Sequence, residues 1–147
     1  MELPDSADGG GASPVYGPSF SPDGALLAAA WPDEGAVRII DVATGSVLRE
    51  LRSIPAPGGT SFGPGGTRLV VSSFFDPLSA AVVVDVATGD ELLTLRGHEH
   101  ALNDVSWSPD GTMIATAGVD GSARIFDADT GLLAAALLGV STTFWAQ

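Results

Sequence analysis

A four-residue turn recurs along this chain, and its spacing constrains the fold more than any other feature. Ser21-Pro22-Asp23-Gly24 returns as Ser108-Pro109-Asp110-Gly111, and Pro64-Gly65-Gly66 is a degraded copy between them. Proline presets φ at the second position and glycine leaves the turn without steric cost, so each copy reads as a hairpin turn. Gly24, Gly66 and Gly111 are 42 and 45 residues apart, and Asp41, Asp85 and Asp127 are 44 and 42 apart. Between the turns lie short segments rich in Val, Ile, Leu and Ala, among them 26–31, 36–41, 68–73, 80–85, 113–118 and 122–127. Such segments, bounded by turn residues, read as strands. Ala43-Thr44-Gly45, Ala87-Thr88-Gly89 and Asp129-Thr130-Gly131 form a second family of turns, and Val119-Asp120-Gly121 is a third kind. Glycine and proline interrupt every window long enough for a stable helix.

Four strands in a period of about 40–45 residues make one propeller blade. The middle segments, Val82-Val83-Val84 and Leu26-Leu27-Ala28-Ala29-Ala30, are apolar on both faces and must be covered on both sides. Stacked blades supply that cover. The predicted fold class is therefore all-β, a partial β-propeller of three four-stranded antiparallel blades at about 15–51, 58–95 and 102–138. Residues 1–14 read as a flexible lead-in, and 139–147 as a linker and the first strand of an incomplete fourth blade. A closed ring takes about 4–8 blades. Three predict an open stack, completed by another copy or by missing sequence, and the favoured expectation is a fragment of a longer propeller.

The stretch 97–131 resembles the WD-repeat β-propeller family. The residues that carry the resemblance are Gly97-His98, Trp107-Ser108-Pro109-Asp110-Gly111, Asp120-Gly121 and Phe126-Asp127, the last standing where the family often has Trp-Asp. The two upstream copies extend it over roughly 15–138. The resemblance implies a hydrogen-bonded network inside the third blade with His98, Thr116 and Asp120 as members. Phe126 fills the fourth position and has no N–H to donate, so the network is limited to three. The first copy has Glu34 and the second Leu78 at the aspartate position, and neither has the Gly-His pair. Those two blades are expected to rely mainly on apolar packing.

Composition narrows the function. Eighteen acids stand against six bases, for a formal net charge of −12 at pH 7, and all six bases are arginine. That surface repels phosphate backbones, so no nucleic-acid partner is expected. No apolar run approaches the roughly 20 residues of a membrane span, and the N-terminal stretch lacks the features of a signal peptide. A cytoplasmic protein with no membrane partner is expected. There are no cysteines. His98-Glu99-His100 lacks a third ligand of comparable quality, so no metal or other cofactor is expected. No Gly-x-Ser-x-Gly elbow or P-loop is present.

The expectation is a non-enzymatic scaffold with a protein partner, as the resemblance implies. The lysine-free, alanine-rich composition fits a GC-rich bacterial genome, and the resemblance places such repeats in larger signalling or regulatory proteins. Candidate partner contacts are Glu99, His100, Val119, Trp31, Phe74 and Phe75, in loops before the first strand and after the second. Trp31, Phe74 and Phe75 serve equally well as filling between blades. Association of copies through exposed blade faces is a further expectation. The first rival reading is an incomplete propeller fragment with no independent function. The second, less favoured, is a propeller hydrolase or lyase, for which only Asn103 and Asp104 stand as polar candidates on an innermost strand.

Overall fold

The computed structural model describes residues 12–74 and 80–139. Among these described residues, twelve strands form three four-stranded antiparallel sheets. The first blade holds β1 (Tyr16–Phe20), β2 (Leu26–Trp31), β3 (Ala36–Asp41) and β4 (Val47–Leu51). The second holds β5 (Pro57–Phe62), β6 (Arg68–Ser73), β7 (Ala80–Asp85) and β8 (Glu91–Arg96). The third holds β9 (Leu102–Trp107), β10 (Met113–Gly118), β11 (Ala123–Asp127) and β12 (Leu133–Leu137). Within each sheet the strands lie in chain order. These are the blades of an open, partial propeller. The expected stub of a fourth blade, including Trp145, lies outside the described residues, as do Phe75 and Leu78.

Local chemistry accounts for the hairpins. In the first, the Ser21 hydroxyl donates to the Asp23 carboxylate at 2.7 Å, which also accepts the Ala25 N–H at 3.0 Å. The third repeats this, with Ser108 donating to Asp110 at 2.7 Å and the Thr112 N–H following at 3.0 Å. Those donors hold the Asp110 carboxyl down to a pKa of about 2, the Thr112 N–H contributing most. In the degraded copy, which has neither the serine nor the aspartate, the backbone bonds remain, from the Gly66 N–H to the Gly63 carbonyl and from the Gly63 N–H to the Arg68 carbonyl, both at 2.9 Å. The outer hairpins use Asp41 and Asp127, each of which accepts two backbone N–H bonds from its own turn.

One local element departs from the all-strand expectation. Pro32–Glu34 forms a single 3-10 turn, opened by a proline whose φ suits it and closed by Gly35 in the left-handed region at φ 64. Glu34 stands at the aspartate position of the repeat, yet it pairs with Arg38 at 2.5 Å. Arg38 also reaches Glu50 at 2.9 Å, and Glu50 reaches Arg52 at 2.5 Å. These side chains are partly solvated, and such pairs are worth about 0–1 kcal/mol each.

Apolar packing between sheets dominates. Each blade has a front face toward the preceding blade and a back face toward the following one. The first core joins Ala28, Ala30, Val37, Ile39 and Leu51 on the back of the first blade to Phe62, Leu69, Val71, Val82 and Val84 on the front of the second. The next joins Val70, Ala81, Val83 and Leu95 to Leu102, Val105, Trp107, Ile114 and Phe126. Alternate residues of β6 and β7 thus enter opposite cores, which is why those strands are apolar on both faces. Full burial of one such side chain contributes about 1.5–3 kcal/mol.

The innermost strands β1, β5 and β9 make the closest approach. At Gly17, which has φ 55, a Cβ would lie 2.6 Å from the Gly59 Cα. At Gly59 a Cβ would lie 2.6 Å from the Asp104 Oδ1 and 3.1 Å from its Cα. Gly59→Ala is therefore expected to overpack the junction with β9 and cost about 1–3 kcal/mol in urea unfolding. Gly65→Ala, whose Cβ would meet nothing nearer than the Thr67 hydroxyl at 4.0 Å, should change stability by less than about 0.5 kcal/mol. Equal losses at both positions would show that the close approach is not the cause.

Candidate functional site

Two polar arrangements lie at the same end of the blades, where β8 leads into β9 and β10 turns into β11. The first is enclosed within the third blade. The His98 side chain is fully buried, and Gly118 leaves room for it, since a Cβ there would lie 2.4 Å from the His98 Nδ1. Its Nε2 is 2.7 Å from the Thr116 hydroxyl and its Nδ1 is 3.0 Å from the Asp120 Oδ2. With Asp120 ionised, this geometry assigns the proton to Nδ1, which donates to the carboxylate, while Nε2 accepts from Thr116.

The structure thus brings together the three residues named from the repeat, and it adds Ser122. The Ser122 hydroxyl and N–H donate to Asp120 Oδ1 at 2.7 and 2.9 Å, and the Glu99 N–H donates to Oδ2 at 3.1 Å. The three-member limit is thereby corrected. Phe126 supplies no N–H, but a serine two residues beyond the aspartate folds back onto it. The Asp120-x-Ser122 spacing was the available signal, since Asp and Ser side chains cap their own turns. Burial tends to raise the Asp120 pKa; Ser122, Glu99 and His98 together outweigh it and hold the carboxyl well below its usual range. The network ties the β8–β9 loop to the β10–β11 turn. Both nitrogens of His98 are engaged and its ring is enclosed. Glu99, His100 and Val119 lie exposed beside it, Val119 at 56%.

The second arrangement is an open cleft of about 720 Å³ lined by Pro14, Tyr16, Pro32, Asp33, Ala56, Phe74 and Asn103. All three blades contribute. Tyr16 and Phe74 form its aromatic wall, edge to face with ring centroids 5.6 Å apart. The Phe74 N–H donates to the Ala56 carbonyl at 2.8 Å, and the Ser73 hydroxyl to that of Pro55 at 2.5 Å, which fastens the wall to the chain entering β5. Ala56 holds φ 43, in the left-handed region that non-glycine residues seldom occupy. Gly58 makes space for the aromatic ring, as a Cβ there would lie 2.7 Å from the Phe74 side chain. Tyr16, Asp33 and Asn103 supply a hydroxyl, a carboxylate and an amide to largely apolar walls.

Among the aromatic candidates, Phe74 lines the cleft and Phe75 lies outside the described residues. Trp31 needs correction as a contact. It ends β2 with 8% exposure, and the Arg38 guanidinium lies 4.6 Å from its ring centroid. The arginine covers the indole that a partner contact requires to be open. Tyr16, Pro14 and Pro32 were missed because no periodic pattern marks a cleft built between blades. Asp104, the candidate for central chemistry, accepts the Val105 N–H at 2.9 Å. Among the described residues no three His, Cys, Asp or Glu side chains gather to hold a metal ion.

Residues 89–127 match the family model described as WD domain, G-beta repeat. The matched segment starts before β8 and ends with β11, so one sequence unit joins the outer strand of the second blade to three strands of the third. Coronin-7 of Rattus norvegicus is 35% identical over 74 residues, covering 43% of this chain and 8% of that protein. Centriole proteome protein 16 of Chlamydomonas reinhardtii is 34% identical over 118 residues, covering 79% of this chain and 5% of that protein. The chain thus spans less than a tenth of the length of these relatives. A chain of Kuenenia stuttgartiensis hydrazine synthase superposes with a TM-score of 0.71 over 82% of this chain and 36% of its own length, at 19% identity, a likeness of fold alone.

The depressed Asp120 pKa gives a pH prediction. The folded state binds that proton more weakly than the unfolded chain, whose ordinary value is 3.8. Its contribution to stability is complete above that value and is lost as pH falls through the lower folded value. Asp120→Asn should cost about 1–3 kcal/mol near neutral pH. The gap to the parent protein in urea unfolding should shrink as pH falls below 3.8. A gap that stays constant into acid would show that the carboxylate charge does not stabilise this blade.

Proposed function

Because this chain belongs to the WD-repeat family, we propose that it is a non-enzymatic scaffold that binds a partner protein segment in the cleft at the loop end of its blades. WD repeats imply protein interaction. The observation that carries the specific reading is the cleft itself, with walls from three blades and Phe74, a candidate contact, in its lining. Tyr16 and Phe74 present aromatic area for an apolar side chain, and aromatic residues commonly carry much of the binding energy at such places. Asp33 within the cleft and the formal net charge of −12 favour a partner segment with basic residues. Glu99, His100 and Val119 extend the contact surface beside the third blade. The exposed blade faces serve assembly, and the cleft serves recognition.

Selection of peptides from a random library on the immobilised chain tests this. The binders should combine an apolar or aromatic residue with Lys or Arg. Tyr16→Ala and Phe74→Ala should each weaken them about 10–30-fold, the equivalent of roughly 1.4–2 kcal/mol. Asp33→Asn should weaken only those bearing the basic residue. Peptides that bind all three variants as tightly as the parent protein would place recognition elsewhere.

A further inference from the structure

The contact between successive blades is made twice inside the chain, and the two halves of a third such contact stand exposed on opposite faces of the stack. In each internal junction an aromatic residue ends the innermost strand and sits in the core behind the preceding blade. Phe62 does so on the first blade and Trp107 on the second, each 7% exposed. Each also anchors its backbone, as the Phe62 N–H donates to the Ser19 hydroxyl at 3.2 Å and the Trp107 N–H to the Ser61 hydroxyl at 3.0 Å. A leucine of the outermost strand closes the junction's other edge. Leu51 packs beside Gly89 and Leu95 beside Gly131, at 7% and 0% exposure.

The next residues in each series are all present. Ser106 follows Ser19 and Ser61, and Leu137 follows Leu51 and Leu95. Both are exposed, Leu137 at 61%. Ala115 and Ala117 of β10 are exposed beside them, although their equivalents Ala28 and Ala30 are fully buried. Ala123 and Ile125 of β11 are half-buried, although Val37 and Ile39 are buried. On the front of the first blade, Phe20 occupies the position of Phe62 and Trp107, and it is 62% exposed. Beside it the front face is already furnished, with Ala29, Trp31 and Ile40 clustered and Arg38 over the indole.

We propose that the back of the third blade docks a second copy of this chain, head to tail, with Phe20 of that copy taking the place that Trp107 takes on the second blade. This deepens the reading of the blade faces as assembly surfaces by naming the occupant. The Phe20 N–H of one copy meets the Ser106 hydroxyl of the other, and Leu137 closes the outer edge. The complement is argued from the chain itself, since both internal junctions use the same serine, aromatic and leucine positions. Such a contact joins unlike faces, so it closes into a ring or extends as an open chain.

Sedimentation of the 147-residue chain reads the outcome. The parent protein should sediment at twice its 14.8 kDa mass or a higher multiple. Phe20→Asp blocks only the front and Leu137→Arg only the back, so each alone should fall to the mass of one copy. Both sites are exposed, and unchanged circular dichroism would confirm folding. An equal mixture of the two should recover a two-copy species through the one intact pair of faces. A parent protein of single-copy mass, variants that still associate, or a mixture that stays at single-copy mass would overturn the proposal. Peptide binding at the cleft should be unchanged in Leu137→Arg, so failure here and failure of the recognition reading are separable.

Discussion

The close approach of the three innermost strands governs the rest of the structure. Gly17 meets Gly59, and Gly59 meets Asp104, at distances that admit no side chain on the glycines. The Thr60 hydroxyl donates to the Gly17 carbonyl across the first of these junctions. Once the inner strands are this close, the middle strands of adjacent blades stack face to face, and small or branched apolar residues fill the space between them. The second blade is packed on both faces. The cleft lies beside the same contact, since its lining residues Tyr16 and Asn103 adjoin Gly17 and Asp104 in the chain.

Polar chemistry is distributed unevenly over this apolar frame. The third blade encloses a histidine, a threonine, an aspartate and a serine with partners for every functional atom named. Its bonds join the β8–β9 loop to the β10–β11 turn, and they leave no cost of an enclosed polar group without a partner at the atoms named. The first blade uses a more solvated cluster of Glu34, Arg38, Glu50 and Arg52, with Arg38 stacked on Trp31. Arg68 plays a related part between blades, reaching the Ala128 carbonyl at 2.9 Å and lying 4.8 Å from the Trp107 ring centroid. Arginine suits these places because its flat guanidinium stacks on an indole while its N–H groups bond in the same plane.

The repeat and its strands were legible in the sequence because turn chemistry is local. Segments 26–31, 68–73 and 113–118 are β2, β6 and β10 residue for residue. The meeting of His98, Thr116 and Asp120 was legible only through the family resemblance, and Ser122 was passed over because the resemblance directed attention to Phe126. The cleft was barely legible. Its lining comes from positions scattered from Pro14 to Asn103, and only the packing of blades brings them together. Trp31 shows the same limit, since nothing in the order of residues says that Arg38 folds over it.

Stacking predicts a gradient of protection that amide hydrogen exchange can read on the full chain, at dilution sufficient to separate copies. Middle-blade amides in β7, whose Val83 and Val84 are fully buried, should exchange slowest. Those of β12, exposed throughout Leu133–Leu137, should exchange fastest among the twelve strands. A β12 as protected as β8 would contradict the account, because blades would then be stable without a neighbour on each face.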